Sequence, residues 1–191
     1  MSNCGCRPTP TTERKVLVIA LILNLTMFLV GLIAGILADS ISLLADSFDM
    51  LADASAYTIG LFAIGRSLKF KTGAARLSGI LLLILGFGVL VEVAYRGWLG
   101  SFPEGHTMIV VAIVSLTVNT YVLHKLGQFR QGEAHLRASW IFTRADIIVN
   151  IGVICSGILV ALTNSHYPDL VVGFIVGLYV IKEAIAILRD N

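Results

Sequence analysis

Charge is scarce in this sequence. Asp, Glu, Lys and Arg make up only 14% of its 191 residues, against 57% apolar residues. A soluble domain carries about 25% charged residues. With a mean hydropathy of +0.88, the chain has too little polar surface to cover a purely water-facing fold. Cysteine is scarce too, at three residues. Cys4 and Cys6 form a Cys-x-Cys near the N-terminus and Cys155 lies in an apolar run, which excludes a disulfide framework. His106, His124, His135 and His166 are scattered and make no metal motif. There is no low-complexity segment and no clear internal repeat. The polar stretch Met1 to Arg14 lacks the apolar core and cleavage site of a removable signal peptide. A net charge of +2 says little about partners, and no nucleic-acid partner is expected.

What the chain has instead is six apolar segments. They run Val16 to Ala38, about Ile41 to Gly65, Leu77 to Tyr95, Thr107 to Leu123, Ala138 to Leu162, and Leu170 to Leu188. In hydrocarbon every backbone polar group needs a partner within the protein. These segments are too long and too continuously apolar for barrel strands, which alternate. The expected fold is an all-α membrane protein, a six-transmembrane-helix bundle in the lipid bilayer. Residues 1–14 are expected to be a flexible cytoplasmic tail and residues 15–191 one six-helix transmembrane domain. The segments around Gly97, Gly100, Pro103 and Gly105, and around Asn164 and Pro168, are tight turns.

Basic residues give the orientation. Arg7, Arg14 and Lys15 precede the first span. Arg66, Lys69, Lys71 and Arg76 are placed in the second loop, and Lys125, Arg130 and Arg137 in the fourth. Lys182 and Arg189 lie toward the C-terminal end. Arg96 is on the opposite side and Arg144 is inside a span. Both termini are therefore expected in the cytoplasm, as an even number of spans requires them to share a side.

A carboxylate within a span costs about 2.5–3.5 kcal/mol to insert. The second segment holds three: Asp46, Asp49 and Asp53 at i, i+3, i+7. That spacing puts them on one helical face, which Ser42 extends by a turn. The fifth segment carries Asp146 and Asn150 at i, i+4. At a rise of about 1.5 Å per residue, Asp49 and Asp53 lie roughly 13–20 Å in from one side. Asp146 and Asn150 lie roughly 12–18 Å in from the other. Both sets reach the middle of a core about 30 Å thick. Asp49, Asp53, Asp146 and Asn150 thus offer one four-ligand oxygen site. Clustered carboxylates in low dielectric need a counter-charge. A divalent cation supplies it, and protons compete for the same oxygens.

The stretches Ser42 to Asp53 (SLLADSFDMLAD) and His135 to Ile154 (HLRASWIFTRADIIVNIGVI) resemble the second and fifth helices of the cation diffusion facilitator family. Pro168 to Asp190 is similar to its sixth. Asp49 and Asp53 match the family's Asp-x-x-x-Asp, and Asp146 matches its fifth-helix aspartate. The first motif position of that helix, usually His or Asp, is Phe142 here, with Asn150 as the proposed substitute and water as the alternative. The resemblance covers the transmembrane region, about Lys15 to Arg189, and not the family's usual soluble C-terminal domain. It implies efflux of a divalent transition metal in exchange for protons by a homodimer, in the cytoplasmic (inner or plasma) membrane. For the transported ion the family implies Zn2+, whereas an all-oxygen site favours Mn2+, Fe2+ or Co2+.

Several residues carry two readings. Asp46 either orients a ligand or faces an outer aqueous cavity. Asn150 is a ligand or bonds across helices. Arg144 anchors at the interface or gates an acidic group. Asp39 is a loop residue or helix cap. Glu92 and Arg96 suit an ion pair at i, i+4, and Lys182 and Glu183 suit the cytoplasmic interface. Gly79, Gly86 and Gly88 suggest a close-packed face of the third helix, with a dimer contact as one use. Cys4 and Cys6 either capture a soft metal or are inert, since two thiolates are half a zinc site. For the whole chain, the alternative to a transporter is a non-transporting metal-binding or regulatory membrane subunit. An enzyme is not expected, as no glycine-flanked aspartate pair suggests an intramembrane protease.

Overall fold

The computed structural model describes residues 10–62, 68–127 and 134–189. Cys4, Cys6, Arg7, Arg66 and Arg130 lie outside the described residues, as do the side chains of Lys69, Lys71, His135, Arg137 and Phe142.

Six helices follow one another: α1 (Pro10–Leu37), α2 (Ile41–Phe62), α3 (Leu68–Leu99), α4 (Gly105–Leu126), α5 (Ala134–Thr163) and α6 (Tyr167–Arg189). The six apolar segments are thus six helices, and the protein is an all-α membrane bundle. Five of the six, all but α2, are long and apolar enough to cross a membrane. The exception is the helix with three aspartates. Its 22 residues still give a length of about 33 Å. It lies within the bundle, packed on α1, α3, α5 and α6.

The helices outrun the apolar segments at their polar ends. The difference is largest at α3, which begins at Leu68 rather than Leu77. Lys69, Lys71 and Arg76 therefore stand on the first turns of a helix and not in a loop. Periodic apolar pattern marks only the part of a helix inside hydrocarbon. A helix that projects beyond it is free to be polar.

The surface is inverted relative to a soluble protein. Ile36, Leu37, Ile84, Ile148 and Leu162 face outward, while Asn24, Ser115, Asn119, Thr143 and Asn150 are wholly buried. Only a lipid environment makes that distribution favourable.

Close approach of α3 to α6 is set by glycine. A Cβ at Gly79 would lie 2.7 Å from Leu188, and one at Gly86 2.7 Å from Ile181. These two glycines seat a helix of the same chain, so they are not free for a dimer contact. Gly88 has nothing within 4 Å of such a Cβ and points away from the bundle. Gly105 of α4 and Gly157 of α5 meet backbone to backbone in the same way.

One end of the bundle is tied together by hydrogen bonds. Asp39 ends α1 in a left-handed conformation, φ 49°, which aspartate tolerates better than most residues. Asp39 N donates to Ile36 O and Ser40 N to Gly35 O, closing the helix in the Schellman pattern. Arg96 of α3 holds this turn through Nη1 to Asp39 O at 2.6 Å and to Asp39 Oδ1 at 2.7 Å. Its Nε pairs with Glu92 Oε1 at 2.7 Å, as the i, i+4 spacing suggests. Phe102 N donates to Asp39 Oδ2 at 2.9 Å, and Glu104 N donates to Ala38 O. The C-terminal ends of α1 and α3 and the N-terminal ends of α2, α4 and α6 thus share one end. The start of α1 and the end of α6 share the other.

Candidate metal centre

The N-terminus of α2 is fixed from α6. Ser40 Oγ accepts from Leu43 N at 3.2 Å, the usual office of a serine cap. Asp169, wholly buried in the first turn of α6, accepts four more bonds. Its Oδ1 receives Ser40 Oγ at 2.7 Å, Ser42 Oγ at 2.6 Å and Ser42 N at 3.0 Å, and its Oδ2 receives Ile41 N at 2.8 Å. Ser42 is therefore spent on Asp169 and does not extend the acidic face.

Further along α2, Asp46, Asp49 and Asp53 are all buried, none more than 5% exposed. Asp146 of α5 is buried likewise. The α2–α5 packing brings the last three together: Asp49 and Asp53 both lie within side-chain hydrogen-bonding reach of Asp146. Tyr57, one turn beyond Asp53, donates its hydroxyl to Asp53 Oδ2 at 3.1 Å. The same hydroxyl is 3.0 Å from Thr143 Oγ1, one turn before Asp146. Tyr57 and Thr143 thus form a polar floor that clamps α2 to α5 and orients Asp53.

Asp46 sits a turn nearer the tied end and faces Ser115 of α4. At 3% exposed, it does not look onto an outer aqueous cavity. Asn150 uses Nδ2 on its own helix, donating to Asp146 O at 2.7 Å. Its Oδ1 is buried and has no partner among the described residues, so among them the amide makes no hydrogen bond across helices. Arg144 is exposed with its guanidinium 5.0 Å from the Trp140 ring centroid, which fits an interfacial anchor.

Glu183 departs from expectation. The sequence pairs it with Lys182 at the cytoplasmic interface. Lys182 is indeed exposed, but Glu183 is 7% exposed and belongs to the acidic group. Its charge acts on Asp49 and Asp146, and that of Asp53 acts on it. The signal is present in the helical period. Gly173, Val176, Gly177, Val180, Glu183 and Ala184 form the buried stripe of α6. Tyr57 is legible in the same way, at i+4 from Asp53.

The donors are all oxygen: carboxylates, one amide and two hydroxyls. As placed, no group of three or more His, Cys, Asp or Glu among the described residues is set to hold a metal ion. The carboxylates gather in one region of the bundle without converging on a single point.

Residues 17–191 match the family described as the cation efflux transmembrane domain. The chain is 26% identical to the zinc transporter ZitB of Pectobacterium atrosepticum, over 96% of this chain and 61% of that protein. It is 25% identical to the proton-coupled zinc antiporter SLC30A2 of Mus musculus, over 98% of this chain and 59% of the relative. It is 24% identical to a cadmium, cobalt and zinc/H(+)-K(+) antiporter of Bacillus velezensis, over 94% of this chain and 62% of the relative. The chain thus spans about 60% of the length of these relatives. On its matched residues and its helical bundle, this chain belongs to the cation efflux, or cation diffusion facilitator, family.

Proposed function

We propose that this protein carries a divalent metal cation across the cytoplasmic membrane, exchanging Zn2+ or another transition metal ion for protons. The observation that carries this reading is the meeting of Asp49, Asp53 and Asp146 inside a lipid-facing bundle, none more than 5% exposed. Buried ionisable groups in spans mark ion pathways by default. Their charge needs a partner, either the metal or protons, and alternation between the two is exchange. Asp49, Asp53 and Asp146 are the proposed ligands, with the buried, unpartnered Asn150 Oδ1 as a fourth and Asp46 orienting the cluster from the Ser115 side.

Zinc is put first because the relatives' names carry it. The oxygen donors also suit Mn2+, Fe2+ and Co2+. The proposed orientation places both termini in the cytoplasm, since Arg76, Lys125 and Arg189 gather at that end of the bundle and Arg96 at the other. Assembly as a homodimer belongs to the same proposal.

Uptake of Zn2+, Mn2+, Co2+ and Fe2+ into proteoliposomes under an imposed pH gradient tests it, with Asp53→Ala beside the parent. Flux lost in the variant supports the carrier and names its ion. Metal binding without flux for any ion overturns it in favour of a non-transporting, regulatory membrane subunit.

A further inference from the structure

We infer that Glu183 of α6 is a carboxylate ligand of the transported cation, closing from a third helix the site that α2 and α5 begin. The inference rests on the transport reading of the Asp49–Asp53–Asp146 cluster. It adds a donor at a position outside the two motifs of α2 and α5.

Three observations converge. First, α6 places Glu183 against the acidic part of α2. Val180 and Ala184, on either side of it along the buried stripe, pack with Ala52 of α2, and Phe48 and Leu51 pack onto the same cluster. Those α2 residues flank Asp49 in sequence and run up to Asp53. Second, Glu183 is 93% removed from solvent, yet its Oε1 has no hydrogen-bond partner. Asp49 Oδ1 is buried and unpartnered in the same way. A buried carboxylate oxygen left without a donor is unfavourable, and a cation held between two such oxygens satisfies both. Third, the charges of Glu183, Asp49, Asp53 and Asp146 act on one another, which puts Glu183 in the same region of the bundle as the three aspartates.

The sequence also leaves room for such a donor. The position where the family resemblance expects a His or Asp ligand on α5 holds Phe142, which offers no lone pair. Glutamate on α6 brings the carboxylates to four, beside Asp49, Asp53 and Asp146, with a side chain one methylene longer than aspartate. It brings oxygen where histidine would bring nitrogen, which moves preference toward harder divalent ions.

The test is cobalt spectroscopy on the purified full chain in detergent. Bound Co2+ reports its ligands through its visible absorption, and a thiolate ligand adds an intense charge-transfer band. With Cys4, Cys6 and Cys155 replaced by serine so that no native thiol contributes, the Glu183→Cys variant is expected to acquire that band on Co2+ addition, and the same cysteine-free background without it is expected to show none. Glu183→Gln is expected to weaken Co2+ binding at least tenfold and to change the ligand-field spectrum. Parent-like affinity and spectrum in Glu183→Gln, with no thiolate band in Glu183→Cys, would overturn the inference. If binding is then still lost in Asp53→Ala, the α2–α5 site and the transport reading survive without Glu183. A parent that binds no Co2+, Zn2+ or Mn2+ overturns both.

Discussion

Asp169 Oδ1 on α6 accepts the Ser42 hydroxyl of α2 at 2.6 Å, while the same carboxylate also takes the backbone N–H groups of Ile41 and Ser42. A residue distant in sequence thereby caps the helix that carries the acidic face. It satisfies orphan donors of the first turn of α2 and places negative charge at the positive end of the helix dipole. The register of Asp46, Asp49 and Asp53 against α6 follows from this clasp.

Asp169→Ala is therefore expected to destabilise the bundle by about 1–3 kcal/mol, the cost of leaving buried donors unmade. Ser42→Ala, which removes one hydroxyl and leaves the backbone bonds, should cost about 1 kcal/mol. Thermal unfolding in detergent checks both. Equal midpoints for Asp169→Ala and the parent would show that the clasp is dispensable.

Tyr57 acts on the site through Asp53. Tyr57→Phe removes the donor to Asp53 Oδ2 and the link to Thr143 while keeping the ring's packing. Loss of a group that orients a metal ligand costs about 10–100-fold in affinity, and that is the expected fall in Co2+ or Zn2+ binding, with stability changed by about 1 kcal/mol. Thr143→Val should give a smaller loss. The pair should be less than additive, because both act on one hydroxyl. Binding titrations on the two single variants and the double variant decide it.

Packing gives a third prediction. A Cβ at Gly105 would run into the backbone of Gly157 and Ala161, whereas one at Gly88 meets nothing within 4 Å. Gly105→Ala must push α4 from α5 and is expected to cost about 1–3 kcal/mol as overpacking. Gly88→Ala is expected to be neutral or stabilising by up to about 1 kcal/mol through helix propensity. Melting curves of the two variants should separate in that order. The same pair tests the outward face of α3: loss of a dimer in Gly88→Ala, with stability intact, would place a subunit contact there.

Arg96 holds Asp39 in its left-handed turn and so anchors the tied end. Arg96→Ala frees the Asp39 carbonyl and carboxylate and breaks the pair with Glu92. The guanidinium is shielded by the surrounding turn but Asp39 and Glu92 are 44% and 40% exposed, so a loss of about 1–2 kcal/mol is expected, at the lower end for hydrogen bonds to charged groups. Arg96→Lys should recover only part of it, as an ammonium lacks the forked donors that serve Asp39 and Glu92 together. Thermal midpoints of the two variants check the order.

Much of this is legible in the residues. Six apolar segments correspond to six helices, and the i, i+3, i+7 aspartates do fall on one buried face. Asp146 meets Asp49 and Asp53, as depth counted from opposite sides suggests. What the residues do not reveal depends on tertiary partners or on the ends of periodic patterns. Glu183, beside Lys182 and close to the chain end, reads as interfacial. Its own helical stripe, which runs through Gly173, Gly177 and Val180, points inward. Ser42 has the right spacing to join the acidic face, but Asp169, far along the chain, claims it. Gly79 and Gly86 signal close packing, and nothing in one helix's sequence says whether the partner is α6 or a second chain. The polar first turns of α3 look like loop because they project beyond the apolar layer.

The most direct test of the central claim follows metal and proton together in one sealed vesicle. Proteoliposomes holding a pH-sensitive dye and a metal-sensitive dye receive Zn2+ outside, with the parent and Asp53→Ala run in parallel. Metal entry matched by proton exit is expected in the parent, and neither in Asp53→Ala. Metal entry with no proton movement, or equal flux in the variant, would contradict it.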